Sequence, residues 1–109
     1  MSVFAEAFYF KDEQALKSFA DGISNGTIKY DDRATSHQVA GSLSQSFGYG
    51  MREMLTNANY NIPDPDNLEV ALSEKDLDKL IPIDEYCKDD IRTLRAGFKE
   101  FQAKLVYLC

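Results

Sequence analysis

The periodicity of apolar positions changes after the first ten residues. Residues 3–10 hold four aromatic side chains, three of which would share one face of an extended strand. Asp12 then fits a helix N-cap, and the apolar positions after it return every three or four residues. The pattern predicts a strand and then a helix that ends near the Asn25-Gly26 pair, with residues 27–30 as a candidate strand that pairs with the first.

A continuous apolar stripe runs through the middle of the chain at three- and four-residue steps. Ser36 is placed to cap a helix, and the stripe extends this helix through Asn57, with Gly48 and Gly50 marking a candidate break. Residues 57–67 are rich in Asn, Asp and Pro, which favour a loop. The stripe consists of Val39, Ala40, Leu43, Phe47, Met51, Met54, Leu55 and Ala58.

The last third of the chain carries the most regular pattern. Residues 68–72 alternate between apolar and other side chains, which predicts a short strand, and capping-box spacing at 73–76 begins a short helix before Pro82. From Asp84 onward, apolar residues step by four and three, so we predict one helix that runs to the last residues. Its stripe positions are Cys87, Ile91, Leu94, Phe98, Phe101, Leu105 and Leu108.

These elements predict the fold class of the 109-residue chain. The length and the 44% hydrophobic content suit one globular domain over residues 1–109. We expect a mostly helical α+β domain, with a short β element at its N-terminal end and three or four helices around one core. A purely helical bundle is the alternative, because residues 3–10 mix helix-favouring Ala and Glu with strand-favouring aromatic residues.

Charge is distributed unevenly along the chain. The whole sequence has a net charge of −6, whereas residues 61–90 hold ten acidic side chains and three lysines, a net charge of −7. Such a field repels nucleic-acid phosphate and attracts basic surfaces. This segment is therefore interpreted either as the solvated faces of short helices or as a docking surface for a basic protein partner. In the second case the contacting residues would be Asp76, Asp78, Asp89 and Asp90.

Residue types that carry catalysis or bind metals are sparse. His37 is the single histidine, and its sequence neighbours offer no base or strong ligand. The acidic run that begins at Asp64 lacks the residues that a calcium loop needs at its fifth, sixth and twelfth positions. Cys87 and Cys109 are too few for a disulfide scaffold, and on one predicted helix they lie too far apart to bridge. We therefore expect a protein that is not an enzyme and that holds no cofactor or metal.

A helix-turn-helix regulator that binds DNA is the alternative function. Residues 43–58 place apolar, small and Gly residues where that motif needs them. Its second helix would carry one base, Arg52, balanced by Glu53, whereas a grip on phosphate needs several cations. Nucleic acid is for that reason not the expected partner.

The last residues are apolar on every side of the predicted helix, so their side chains must be buried against another part of the structure. Either the N-terminal aromatic segment or a second copy of the chain would supply this cover. The homodimer hypothesis places the contact at Leu105, Val106, Tyr107 and Leu108.

The chain has neither a run of about 18 apolar residues nor a signal-peptide pattern at its start, so we expect a cytoplasmic protein without a membrane span. Small acidic single-domain chains of this kind are common among phage and mobile-element accessory proteins. Together these expectations describe a non-enzymatic acidic protein that binds, and by binding can inhibit, a protein partner through residues 61–90.

Overall fold

A computed structural model describes residues 4–64 and 66–109, and its centre is a four-stranded antiparallel sheet. The strands are β1 (Ala5–Phe10), β2 (Gly41–Phe47), β3 (Val70–Ser73) and β4 (Leu105–Leu108), in the order β2-β1-β4-β3. The helices are α1 (Glu13–Ser24), α2 (Tyr49–Asn57) and α3 (Glu85–Glu100), with short 3-10 helices at Tyr30–Asp32 and Lys75–Lys79. The predicted α+β class is confirmed for this small single domain, and the alternative of a purely helical bundle is wrong.

Helices cover both faces of the sheet, which places a core on each side of it. Successive side chains of a strand point to opposite faces. Ala5, Ala7 and Tyr9 of β1 therefore pack with α2 and α3, whereas Phe8 and Phe10 pack with α1. Because both faces are covered, β1 and β4 are apolar at nearly every position rather than at alternate ones.

Helix α3 is anchored to β1 through Tyr9, whose side chain is fully buried. The Tyr9 hydroxyl donates a 2.7 Å hydrogen bond to the Leu94 backbone oxygen, and its ring meets Phe98 edge-on with centroids 5.2 Å apart. Gly97 permits this approach, since a Cβ there would lie 2.2 Å from the hydroxyl oxygen. Burial and, to a smaller extent, the charge of Glu100 raise the pKa of Tyr9, so the hydroxyl remains a donor.

The first strand and the first helix form where the pattern predicts them, although Val3 of the predicted strand lies outside the described residues. The Asp12 side chain caps α1 as predicted. The predicted pairing of residues 27–30 with β1 is wrong, because β2 and β4 occupy both edges of that strand. Ile28 folds back on α1 instead, and its N–H donates to the Gly22 oxygen at 2.9 Å.

The helix predicted over residues 36–57 is wrong in its first half, where residues 41–47 form β2. Leu43 and Phe47 lie four positions apart, a spacing that places two side chains on one face of a helix and equally on one face of a strand. The serines between them favour a helix poorly, and the free edge of β1 supplies backbone partners. The second half is confirmed, since α2 begins directly after Gly48.

The last predicted helix is confirmed over Glu85–Glu100 and wrong after it, because α3 ends at Glu100 and residues 105–108 form β4. Asp84 caps α3 as predicted, accepting the Cys87 backbone N–H at 2.9 Å. Helix and strand are separated by Gln102 at φ 50°, in the left-handed region where helices commonly end. Residues 105–108 are apolar at every position, so their pattern fits the period of a helix as well as that of a strand. Such a segment suits an interior strand of a sheet that is covered on both faces.

The described residues between α2 and β3 form neither helix nor strand, as predicted for residues 57–67, and the predicted strand at 68–72 forms as β3 over Val70–Ser73. The short helix that follows is a 3-10 helix, Lys75–Lys79. Within the described part of the chain, no helix is both long enough and apolar enough to cross a membrane.

Candidate protein-docking surface

Three large apolar side chains are exposed between the second 3-10 helix and the first turn of α3. Ile81 is 77% exposed, Ile83 49% and Tyr86 81%. Six large apolar side chains are exposed among the described residues, and half of them fall within these six consecutive positions. Single exposed apolar residues are ordinary, whereas a group of them marks an interaction site. We call Ile81, Ile83 and Tyr86 the apolar patch.

The local backbone turns these side chains toward solvent. Leu80 is buried and has an extended backbone (φ −83°, ψ 127°), so the alternation of an extended chain directs Ile81 outward. Asp84 then caps α3, and its partner Cys87 faces the core. Tyr86, one position earlier in the first turn, is consequently left on the outer side of the helix.

The start of α2 lies beside the first turn of α3. A Cβ at Gly50 would lie 2.9 Å from the Cys87 sulfur, so the two helices approach closely there. Tyr49, the first residue of α2, is 57% exposed. A further large aromatic side chain is therefore exposed at the end of the molecule where both helices begin.

Carboxylates accompany the apolar patch. Asp84 and Glu85 lie within residues 81–86 and are exposed, and Asp78 and Asp89 are exposed on the neighbouring turns of the chain. The Asp84 carboxylate accepts a backbone N–H of the first turn of α3, and this hydrogen bond lowers its pKa. The patch thus combines apolar side chains with exposed carboxylates, of which Glu85 pairs with Lys88 at 3.1 Å.

Of the four predicted contact residues, Asp76 is occupied within the fold. Its carboxylate accepts the Ser73 backbone N–H at 2.8 Å and the Ser73 hydroxyl at 3.0 Å, and Lys79 pairs with it at 3.2 Å. Partial burial opposes its ionisation, but the hydrogen bonds from Ser73, Tyr60 and Lys79 outweigh burial and lower the pKa to about 2. Asp76 completes the predicted capping box and is not a free surface charge.

The other three predicted residues line α3 or face it. Asp78 pairs with Arg95 at 3.0 Å and Asp89 with Arg92 at 2.8 Å, and both carboxylates are more than half exposed. Asp90 accepts a 2.9 Å hydrogen bond from a side chain of β2, and its partial burial raises its pKa. Asp78 and Asp89 are therefore the two predicted residues whose carboxylates remain mostly exposed; Asp89 lies about one turn after Tyr86, whereas Asp78 lies beside Arg95, further along α3.

The sequence pattern did not identify the apolar patch. Periodicity places Ile81 on the buried face of the short helix with Leu77 and Leu80, whereas the structure buries the two leucines and exposes the isoleucine. Two signals pointed to this outcome. Pro82 ends the helix directly after Ile81, and Tyr86 falls outside the heptad stripe that begins one residue later.

The helix-turn-helix alternative is wrong in its geometry, since residues 43–47 belong to β2 and the motif lacks its first helix. Arg52, the base of its second helix, donates instead to the backbone oxygens of Asp64 at 2.9 Å and Ile62 at 3.4 Å. This side chain fastens the loop after α2 to that helix.

The predicted dimer contact lies in the interior of the sheet, because β4 pairs with β1 on one side and with β3 on the other. Val106 and Leu108 are fully buried within one chain, and Leu105 and Tyr107 are half-buried beside α1. The apolar helix end that motivated the homodimer hypothesis is absent from the structure, and the fold itself supplies the expected cover.

A buried cation, Arg33, organises a second polar cluster that the sequence pattern also did not identify. The residue is 6% exposed, and its guanidinium reaches Glu6 Oε1 at 2.6 Å and the Cys109 backbone oxygen at 3.0 Å. The guanidinium stacks on the Tyr30 ring, 3.9 Å from its centroid. Burial raises the pKa of the Cys109 thiol to about 11 despite the opposing charge of Arg33, so the thiol is protonated at neutral pH.

The remaining candidate residues do not converge on one site. His37 is exposed, and Cys87 and Cys109 are free and buried. Over residues 4–64 and 66–109, no group of three or more His, Cys, Asp and Glu is placed to hold a metal ion. Comparison of the chain with known protein families, with curated proteins and with solved structures found no match.

Proposed function

We propose that the chain is a non-enzymatic protein-binding module that docks a basic protein partner through the apolar patch and the carboxylates beside it. The proposal rests on the exposure of Ile81 (77%) and Tyr86 (81%). Both residues lie within the most acidic third of the chain. In an isolated domain, such a group of exposed apolar side chains lowers solubility, whereas in an interface the same side chains are buried.

The two kinds of residue have different tasks in this proposal. Tyrosine is enriched among the few interface residues that supply most of the binding free energy, which makes Tyr86 the expected anchor. Exposed carboxylates such as Glu85 and Asp89 add less affinity, but they accelerate association with a basic surface and discriminate against an acidic one. Binding strength should then follow the apolar residues, and the association rate should follow the acids.

The charge gradient along α3 orients the partner. The first two turns of this helix hold three acids against one base, Lys88, whereas Arg92, Arg95 and Lys99 occupy its later turns. A basic surface is attracted to the end that carries the apolar patch and repelled from the other. Docking inhibits any partner that uses the covered basic surface itself, for instance to contact nucleic acid.

Two matched tyrosine substitutions test the proposal. Tyr86→Ser removes a patch side chain, whereas Tyr30→Ser removes a side chain of similar exposure, 73%, outside the acidic segment. The partner is isolated by its retention on the immobilised chain, purified, and measured against each variant by surface plasmon resonance. We expect the Kd to rise about tenfold or more for Tyr86→Ser and to stay unchanged for Tyr30→Ser.

Salt dependence tests the electrostatic half of the proposal. Association of the wild-type chain should slow as ionic strength rises, and Asp89→Asn should lower the association rate with little change in dissociation. Equal affinities of the wild type and Tyr86→Ser, or a purified partner whose contact surface is acidic, would contradict the proposal.

A further inference from the structure

A cavity of about 380 Å³ opens beside the start of β1 and shares no lining residue with the apolar patch. The residues that give it chemical character are Phe4, Glu6, Tyr30, Arg33 and Asp66. Its volume lies within the range of small-molecule pockets, roughly 300–1,000 Å³. The combination of two exposed aromatic rings with carboxylates restricts the class of molecule that it would take.

The charged groups of the lining leave an excess negative charge. The Arg33 guanidinium is already paired with Glu6 at 2.6 Å and donates to the backbone oxygens of Cys109 at 3.0 Å and Tyr30 at 3.2 Å. The charges of Arg33 and Glu6 therefore offset each other, and the Asp66 carboxylate remains. An anionic ligand would meet two carboxylates and a guanidinium whose donors are largely occupied, whereas a monocation would neutralise the site.

The aromatic residues of the lining favour the same sign of charge. The face of an aromatic ring attracts cations through its quadrupole, and one face of Tyr30 already carries the Arg33 guanidinium at 3.9 Å from the centroid. Tyr30 is nevertheless 73% exposed, and Phe4 is 62% exposed. Both rings can therefore contact a ligand without any change in the buried core.

We propose that this cavity binds a small organic cation of the alkylated ammonium class, comparable in size to choline. The cation would lie against Tyr30 and Phe4, with Asp66 as its counter-ion. Binding involves no covalent step and is independent of protein docking at the apolar patch.

Titration of the full-length ¹⁵N-labelled chain with choline, followed by NMR, tests the proposal. The backbone amides of the lining residues and the Arg33 Nε–H should shift in a saturable manner, with a Kd on the order of 1 mM. The neutral isostere 3,3-dimethyl-1-butanol, which has the shape of choline without its charge, should bind about tenfold more weakly. Acetate should cause no saturable shift at the same residues.

Variants with matched controls localise the effect. Asp66→Asn and Tyr30→Leu should each weaken choline binding several-fold. Asp21→Asn on α1 and Tyr86→Ser in the apolar patch make comparable changes outside the cavity and should leave choline binding unchanged. Equal binding of choline and its neutral isostere, saturable binding of acetate, or shifts that rise linearly without saturation would overturn the proposal.

Discussion

The close approach of Gly97 to Tyr9 makes Gly97→Ala the most informative single test of the fold. A Cβ at this position would lie 2.2 Å from the Tyr9 hydroxyl oxygen, 2.3 Å from Cζ and 2.7 Å from Cε2. The Tyr9 ring is fully buried and contacts both Phe98 and Phe101, with centroid separations of 5.2 and 5.3 Å. The ring therefore has no free space to move into, and either it or α3 must shift.

The expected magnitude follows from three contributions to the free energy of unfolding. Overpacking a filled core costs about 1–3 kcal/mol. If the ring moves, its hydroxyl loses the hydrogen bond to the Leu94 backbone oxygen. A buried polar group without a partner costs about 1–3 kcal/mol. Alanine is favoured over glycine inside a helix by about 1 kcal/mol, which opposes the other two. We expect Gly97→Ala to lower the free energy of unfolding by about 3 kcal/mol, the middle of the range of about 1–5 kcal/mol that these contributions span.

Urea unfolding followed by far-ultraviolet circular dichroism measures this loss. Ala96→Gly is the control, because Ala96 is the preceding residue of α3 and is exposed. Its expected cost is about 1 kcal/mol, from helix propensity alone. A Gly97→Ala variant as stable as the wild type would refute the packing of α3 against Tyr9.

Two other substitutions test the capping box and the place of β4. Asp76→Asn should destabilise the protein by about 1 kcal/mol at neutral pH, because the capping acceptor for Ser73 is weakened. The carboxylate has a folded pKa of about 2, below its usual value of about 3.9, so its contribution is present above about pH 4 and is lost as the pH falls toward 2. Urea midpoints of the wild type and Asp76→Asn should therefore converge in acid, and a constant gap would contradict the assignment. Val106→Lys combined with Tyr107→Lys should unfold the protein, since Val106 is fully buried, and a native circular dichroism spectrum would contradict an interior β4.

Several elements could be predicted from sequence because their signals are local. Asp12 and Asp84 each have the side-chain geometry of an N-cap, and the structure places a helix directly after each of them. The aromatic residues of β1 favour a strand for a similarly local reason. Where a short side chain or a run of aromatic residues determines the backbone, sequence pattern and structure agree.

β2 and β4 could not be predicted in this way, because their apolar residues satisfy two periods at once. Leu43 and Phe47 fit a helix as well as they fit a strand, and residues 105–108 are apolar at every position. The choice depends on β1, whose two edges need backbone partners that lie far along the chain. This requirement is tertiary, and intrinsic propensity does not contain it.

The charge of the candidate site could be predicted from the sequence, but its shape could not. Composition alone locates the acidic segment, but the exposure of Tyr86 and Ile81 depends on which neighbouring residues face the core. The cluster around Arg33 is likewise non-local, since its partners Glu6 and Cys109 lie 27 and 76 positions away. Such contacts arise only once the sheet has assembled.

Cross-saturation NMR on the complex with the purified basic partner tests the proposed docking surface most directly. Irradiation of the partner attenuates the signals of those residues of the labelled chain that it contacts. The proposed docking surface predicts attenuation at Ile81, Ile83 and Tyr86, with the adjoining turn at Asp89, and none at Tyr30. Attenuation centred on α1 or on the edge of β2, with the apolar patch unaffected, would contradict it.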